Sequence, residues 1–230
     1  RLEQSVDYSL IWKLLAATAA IILLLIYRQT LVSRYNRQLM DKNAELERLS
    51  RTDALTGAFN RMKIDEVLSY ELEQAKRYQH NFSVIIVDID HFKQINDNFG
   101  HQVGDEILKQ TAKRMRLQLR ESDTLARIGG DEFAVLLEDL ESSTYAVKVA
   151  QRILTVMHEP MEIGKNSISA TISIGIAFND ENCSSVQDLM KNADHAMYHA
   201  KDRGKNNIQV YESSLHHAVV YARQLLHELE

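Results

Sequence analysis

The chain has 230 residues, 45% hydrophobic and 26% charged, a composition that excludes a disordered or collagen-like protein. Its 27 Lys and Arg against 32 Asp and Glu leave a net charge of −5, which argues against a binder of nucleic-acid polymers relying on a basic surface. One cysteine, Cys183, excludes an intrachain disulfide framework and a four-cysteine zinc site. The chain begins with Arg1 rather than Met, as expected of a piece of a longer protein.

The first element is apolar. Tyr8 to Tyr27 carries a single charge, Lys13, and about 20 such residues in a helix cross a bilayer core. Lys13 lies near one end and can snorkel, with Tyr8, Trp12 and Tyr27 as interfacial anchors. A signal peptide would end in a small-residue cleavage site, and a core helix would show a polar face; the run shows neither. Arg28, Arg34 and Arg37 follow it with no acid among residues 28–37, which predicts that the C-terminal part lies in the cytoplasm.

Residues 28–50 contain no Gly or Pro. Val32, Leu39 and Leu46 are spaced by seven, and Tyr35, Lys42 and Leu49 form a second seam with Lys42 as its flaw. The pattern fits a parallel dimerising stalk or a single amphipathic helix, and the preceding anchor favours the stalk.

Beyond residue 50, helical and extended patterns alternate. Asn60–Tyr78 has helical spacing, and Phe82–Val87 is an apolar, β-branched run expected to form a buried central strand. A helix is expected over Asp105–Leu119. Two short strands, Thr124–Ile128 and Phe133–Leu137, flank Gly129-Gly130 as a tight hairpin. Helices follow at Ser143–Met157 and Val186–Lys201, with a strand between them at Thr171–Ala177 and an edge strand at Ile208–Tyr211. This order predicts an α+β domain over residues 51–212, with a mostly antiparallel five-stranded sheet flanked by helices. Leu215–Glu230, within a C-terminal segment 213–230, reads as one more helix leading toward a further domain.

Carboxylates stand at the ends of these strands. The central strand runs into Asp88-Ile89-Asp90, and Asp131-Glu132 sits at the glycine hairpin. A hairpin beside the central strand would bring Asp131 close to Asp88, and two carboxylates that close repel unless a cation lies between them. An all-oxygen donor set suits magnesium. The plainer reading is a pair of acidic turns flanking strands.

Arg127–Phe133 reads RIGGDEF, Asp53–Arg61 reads DALTGAFNR, and Asp88–Leu108 reads DIDHFKQINDNFGHQVGDEIL. Ser173–Ala177 reads SIGIA and Asp194–Asn206 reads DHAMYHAKDRGKN. In this order the five motifs resemble the GGDEF-domain, or diguanylate cyclase, family over roughly residues 50–212. The resemblance implies condensation of two GTP into cyclic di-GMP and two pyrophosphates, in a homodimer whose chains each hold one GTP.

Carried onto this chain, the resemblance implies that Asp88, Asp131 and the Ile89 carbonyl hold magnesium, with manganese as the alternative. Glu132 stands beside them and, with Asp131, is a candidate for deprotonating the attacking hydroxyl. The amides of His91 and Phe92 cradle phosphates, Gly129 and Gly130 let the backbone approach the nucleotide, and Lys93, Lys201 and Lys205 neutralise the triphosphate. Lys205 stands where the family often has Arg. Asn96 and Asp105 bond the guanine edge, which favours GTP over ATP. Arg120–Asp123 reads RESD and resembles the family's RxxD inhibitory site, where cyclic di-GMP binds as product and inhibitor. The implied location is the bacterial inner membrane, with the catalytic domain in the cytoplasm. The alternative is a non-catalytic module that senses GTP or cyclic di-GMP and regulates an attached phosphodiesterase domain. His195 and His199, four apart, are expected to face solvent, and Cys183 to be a loop thiol.

Overall fold

The structure, a computed structural model, describes residues 9–49, 51–140, 142–179 and 185–211. Tyr8, Cys183 and the segment 213–230 lie outside the described residues. The chain divides into two units, Arg1–Ser50 and Arg51–Glu230.

The first unit is one uninterrupted helix, α1 (Ser9–Leu49), which runs through both the expected anchor and the expected stalk. Nothing in its 41 residues breaks a helix, since neither Gly nor Pro occurs, and Thr18 and Thr30 turn their hydroxyls back onto the Leu15 and Tyr27 carbonyls. At 1.5 Å per residue it is about 60 Å long, roughly twice the thickness of a bilayer core. Its part Trp12–Met40 is long and apolar enough to cross a membrane. Trp12, Leu23, Leu24, Val32, Tyr35 and Leu39 all lie exposed along it.

The second unit is built on a six-stranded sheet in the order β1-β3-β4-β2-β7-β8. Its strands are β1 (Phe59–Asn60), β2 (Ser83–Ile89), β3 (Thr124–Arg127), β4 (Glu132–Leu137), β7 (Ile172–Phe178) and β8 (Ile208–Val210). The four inner strands pair antiparallel, and β1 and β8 join the two edges in parallel. Every residue of β2 is buried because it has strands on both sides and helices on both faces.

The alternation of β2 sorts the layers. Ile85, Val87 and Ile89 face α4 (His101–Arg116) and α5 (Ser143–Met157), whereas Val84 and Ile86 face α2 (Arg61–Tyr78) and α6 (Val186–Asp202). Side-chain caps start three of these helices: Asn60 accepts from the Lys63 amide, Ser142 from Thr144 and Ser185 from Asp188. Gly175 on β7 lets α6 lie against the sheet, since a Cβ there would stand 2.1 Å from the Ala193 carbonyl oxygen and 2.2 Å from the Met197 nitrogen.

Three features differ from the pattern reading. The sheet has six strands rather than five, because the two-residue β1 pairs with β3 and is too short to show a period. A helix α3 (Phe92–Phe99) precedes α4, and α4 begins at His101 rather than Asp105. The two helices meet at Gly100, whose φ of 86° turns the chain between them. A small separate hairpin, β5 (Met161–Ile163) with β6 (Asn166–Ile168), turns at Gly164.

Candidate active site

The site forms at one end of β2. Register places Asp88 opposite Glu132 on β4 and Ser173 on β7, and the Ile89 amide donates to the Asp131 carbonyl at 3.3 Å. By the alternation of β2, Asp88 points toward the α2–α6 layer, and there Lys201, in the last turn of α6, sets its Nζ 2.8 Å from Asp88 Oδ2. Glu132 opens on the same face into a groove of about 430 Å³ between α2 and α6, lined also by Arg61, Asp65, Lys191 and Asp194.

Burial pushes the Asp88 carboxyl up to about 6. Lys201 opposes that rise, and the charges of Asp131 and Glu132 add to it. Burial by itself would lower the Lys201 ammonium, but its bond to Asp88 and the three negative charges hold it above its usual value. The site thus carries an excess of acid that one lysine does not balance. Among the described residues, no three His, Cys, Asp or Glu side chains converge as a metal site.

Gly129 and Gly130 lie in the β3–β4 turn, and neither has a left-handed backbone. A Cβ on Gly129 would meet Glu132 Oε2 at 2.7 Å, whereas a Cβ on Gly130 would meet nothing within 4 Å. No neighbour in the fold therefore demands glycine at 130; the open space beside it suits a ligand approaching the backbone.

His91, with φ 58°, turns the chain from β2 into α3, so the His91 and Phe92 amides lie at the helix start and Lys93 is exposed in its first turn. Asn96 packs against α4 at Gly104, where a Cβ would stand 1.8 Å from Asn96 Oδ1. That oxygen is buried without a hydrogen-bond partner among the described residues. The next residue along α4, Asp105, is exposed. The structure thus places Asn96 beside the helical turn that carries Asp105, and it places Lys205 in a left-handed turn after α6.

Three residues that sequence reasoning left without a role brace this end of the sheet. Asp90, 3% exposed, accepts from Thr171 Oγ1 at 2.8 Å, Ser173 Oγ at 2.7 Å and the Asn206 amide at 3.1 Å. It ties the Lys205–Asn206 turn to β2. Arg127 donates to the Gly130 carbonyl at 2.6 Å and pairs with Asp53 at 3.2 Å, so the Gly129-Gly130 turn is held to residue 53. Burial would raise the Asp53 carboxyl, but its bonds to Thr56 and Arg127 hold it below the usual value. Arg127 and Asp90 stand at strand ends and Asp53 in the loop before β1, each a charged residue inside one of the five motifs, and that was the available signal.

Arg120 and Asp123 stand at the opposite end of β3 from the glycine turn, about 13 Å of strand away. The Arg120 amide donates to Asp123 Oδ2 at 2.8 Å, and the Arg116 guanidinium donates to the Asp123 carbonyl at 3.3 Å. Asp123 is 2% exposed, and burial raises its carboxyl against the pull of Arg120, Arg152 and Arg116. His195 and His199 are exposed on α6, with ring centroids 4.6 Å apart.

The family model for the diguanylate cyclase GGDEF domain matches residues 50–207. The chain belongs to that family. GGDEF relatives of this chain include the bifunctional diguanylate cyclase/cyclic di-GMP phosphodiesterase MucR of Pseudomonas aeruginosa, 40% identical over 81% of this chain and 27% of MucR. The GGDEF domain of TpbB, a diguanylate cyclase from the same organism, superposes with a TM-score of 0.68 at 37% identity, covering 76% of this chain and 99% of that structure. The coiled coil and GGDEF domain of DgcB from Caulobacter crescentus, solved with c-di-GMP, gives a TM-score of 0.67 at 26% identity over 81% of this chain and 98% of that one. The chain spans 27% and 41% of the curated relatives MucR and TpbB.

Proposed function

We propose that this chain is a membrane-tethered diguanylate cyclase. The observation that carries the reading is the register that sets Asp88 opposite Glu132 and next to the Asp131 turn at one sheet end, with Lys201 bonded to Asp88. In the reaction each ribose 3′-oxygen attacks the α-phosphorus of the other GTP. Two phosphodiester bonds form, two α–β phosphoanhydride bonds break, and two protons and two pyrophosphates leave. Each chain supplies half of the centre, so the active form is a homodimer.

The donor set fits magnesium or manganese: Asp88, Asp131 and the Ile89 carbonyl offer only oxygen, and the excess of acid calls for a second positive charge. When bound, the ion neutralises phosphate charge. Lys201 moves from Asp88 to the triphosphate, joined by Lys93 and Lys205. The His91 and Phe92 amides hold phosphate oxygens at the start of α3. The orphaned Asn96 oxygen and Asp105 accept the guanine N–H groups. Glu132 takes the proton of the attacking hydroxyl, with Asp131 beside it.

The domain reading is a membrane span over 8–27, a stalk over 28–50, a cyclase domain over 51–212 and a C-terminal segment 213–230 leading onward. The span sits in the bacterial inner membrane with the cyclase in the cytoplasm, and α1 supplies a dimer seam through Val32, Tyr35 and Leu39. Cyclic di-GMP binding at Arg120 and Asp123 inhibits the enzyme. The test is the full chain in detergent with GTP and magnesium, product being read by chromatography. Cyclic di-GMP that disappears in Asp131→Ala supports the reading. No product, even with the chain fused to a strong parallel dimeriser, overturns it in favour of the nucleotide-sensing module.

A further inference from the structure

The inhibitory reading names two residues, Arg120 and Asp123. The surroundings of Arg120 contain a third, which sequence reasoning did not mark. The Arg120 guanidinium carbon lies 4.0 Å from the centroid of the Tyr145 ring, a cation–π stack. Tyr145 belongs to the first turn of α5, and its ring packs against the central apolar cluster. Core packing therefore fixes the ring, and the ring fixes the arginine. The Arg120 side chain makes no ion pair among the described residues and is exposed. Tyr145 lies against the guanidinium, and the residue remains exposed to solvent.

A second observation points to a ligand. Asp123 Oδ1 is buried and has no hydrogen-bond partner among the described residues, although Oδ2 of the same carboxyl takes the Arg120 amide. A buried acceptor left unmade is costly, and a base edge that presents N–H groups would satisfy it. A flat cation backed by an aromatic ring, three residues from an orphaned acceptor, matches a guanine: its face stacks on the arginine and its N1–H and 2-amino group reach the aspartate.

We infer that Tyr145 is a positioning residue of the product site, holding the Arg120 guanidinium as a preformed platform so that guanine completes a Tyr145–Arg120–guanine stack. This rests on the inhibitory reading of Arg120 and Asp123. The ring carries the effect and the hydroxyl does not. The Tyr145 hydroxyl is itself buried without a partner among the described residues, so removing it leaves the stack intact. An arginine held in one orientation before binding loses less side-chain freedom when the ligand arrives.

The test is calorimetric titration of cyclic di-GMP into the full chain in detergent, with the catalytic site saturated by an α,β-methylene analogue of GTP. Arg120→Ala should abolish binding. Tyr145→Phe should bind within about twofold of the wild type, and Tyr145→Leu about tenfold more weakly, a loss of about 1.4 kcal/mol. Arg120→Lys keeps the charge but not the plane, and its exposed position leaves folding intact; it should weaken binding at least as much as Tyr145→Leu. If Arg120→Ala binds like the wild type, the inhibitory reading itself fails. If Arg120→Ala loses binding while Tyr145→Leu or Arg120→Lys keeps it, only the stacked platform fails. If Tyr145→Phe weakens binding as much as Tyr145→Leu, the hydroxyl acts and the ring assignment is overturned.

Discussion

Asp88→Asn should make the domain more stable while abolishing its chemistry. The Asp88 carboxyl sits at about 6 against an ordinary 3.8, because burial and the neighbouring acids penalise its charge more than Lys201 relieves it. That difference amounts to about 3 kcal/mol of destabilisation when the group is fully ionised in both folded and unfolded chains. The sign follows from proton counting. Between pH 3.8 and about 6 the folded chain holds the proton more tightly than the unfolded one, so stability falls as pH rises through that window. Above it the penalty is complete, and below it the penalty is gone.

Asparagine carries no charge at any pH, and its amide oxygen still accepts from Lys201. Allowing for the weaker bond to Lys201, the variant should gain about 2 kcal/mol at pH 8. In a domain of this size that raises Tm by roughly 4–8 °C. The assay is thermal unfolding followed by circular dichroism from pH 4 to 8, without metal or nucleotide. The advantage should narrow as pH falls through 6 and close near 4. Magnesium with a non-reactive GTP analogue should then stabilise the wild type more than the variant, because binding to the folded state adds stability only where the site survives. A variant less stable than the wild type at pH 8, or an advantage that does not change with pH, would refute the reasoning.

Two further substitutions probe the parts around Asp88. Gly104→Ala places a methyl where Asn96 Oδ1 now lies, so the Asn96 side chain must leave its seat; KM for GTP should rise about tenfold, with kcat held within about threefold. An unchanged KM would remove Asn96 from guanine recognition. Asp90→Asn replaces a carboxylate that accepts three hydrogen bonds with an amide that matches only some of them, at a cost of about 1–3 kcal/mol. Tm should fall by several degrees and KM for GTP should rise as the Lys205 turn loosens; a Tm equal to the wild type's would show that the turn does not depend on Asp90.

Much of this site was legible along the chain. The run ending in Asp88 read as a central strand because β-branched residues without a polar alternation suit a strand covered on both faces. The Gly129-Gly130 turn read as a hairpin because apolar strands flank it, and the neighbouring strands then implied that Asp131 approaches Asp88. The helices α2, α5 and α6 followed from apolar spacing and were found within two residues of their expected bounds. The elements that escaped are those in which periodicity has no room: two-residue β1, three-residue β5 and β6, and the eight-residue α3 with no fully buried residue.

By itself the sequence determined the local choices: which segments are helical or extended, which faces are apolar, and that acids gather at strand ends. Those choices depend on neighbours within a few positions, so spacing and residue type suffice. Only the tertiary structure decided which distant groups meet. Arg127 finds Asp53 across 74 positions, Asn206 reaches Asp90 across 116, and Arg120 stacks on Tyr145 from the next helix. These contacts depend on strand order and on how closely each helix seats on the sheet. Both are set by the packing of the whole core, which no single stretch of residues encodes.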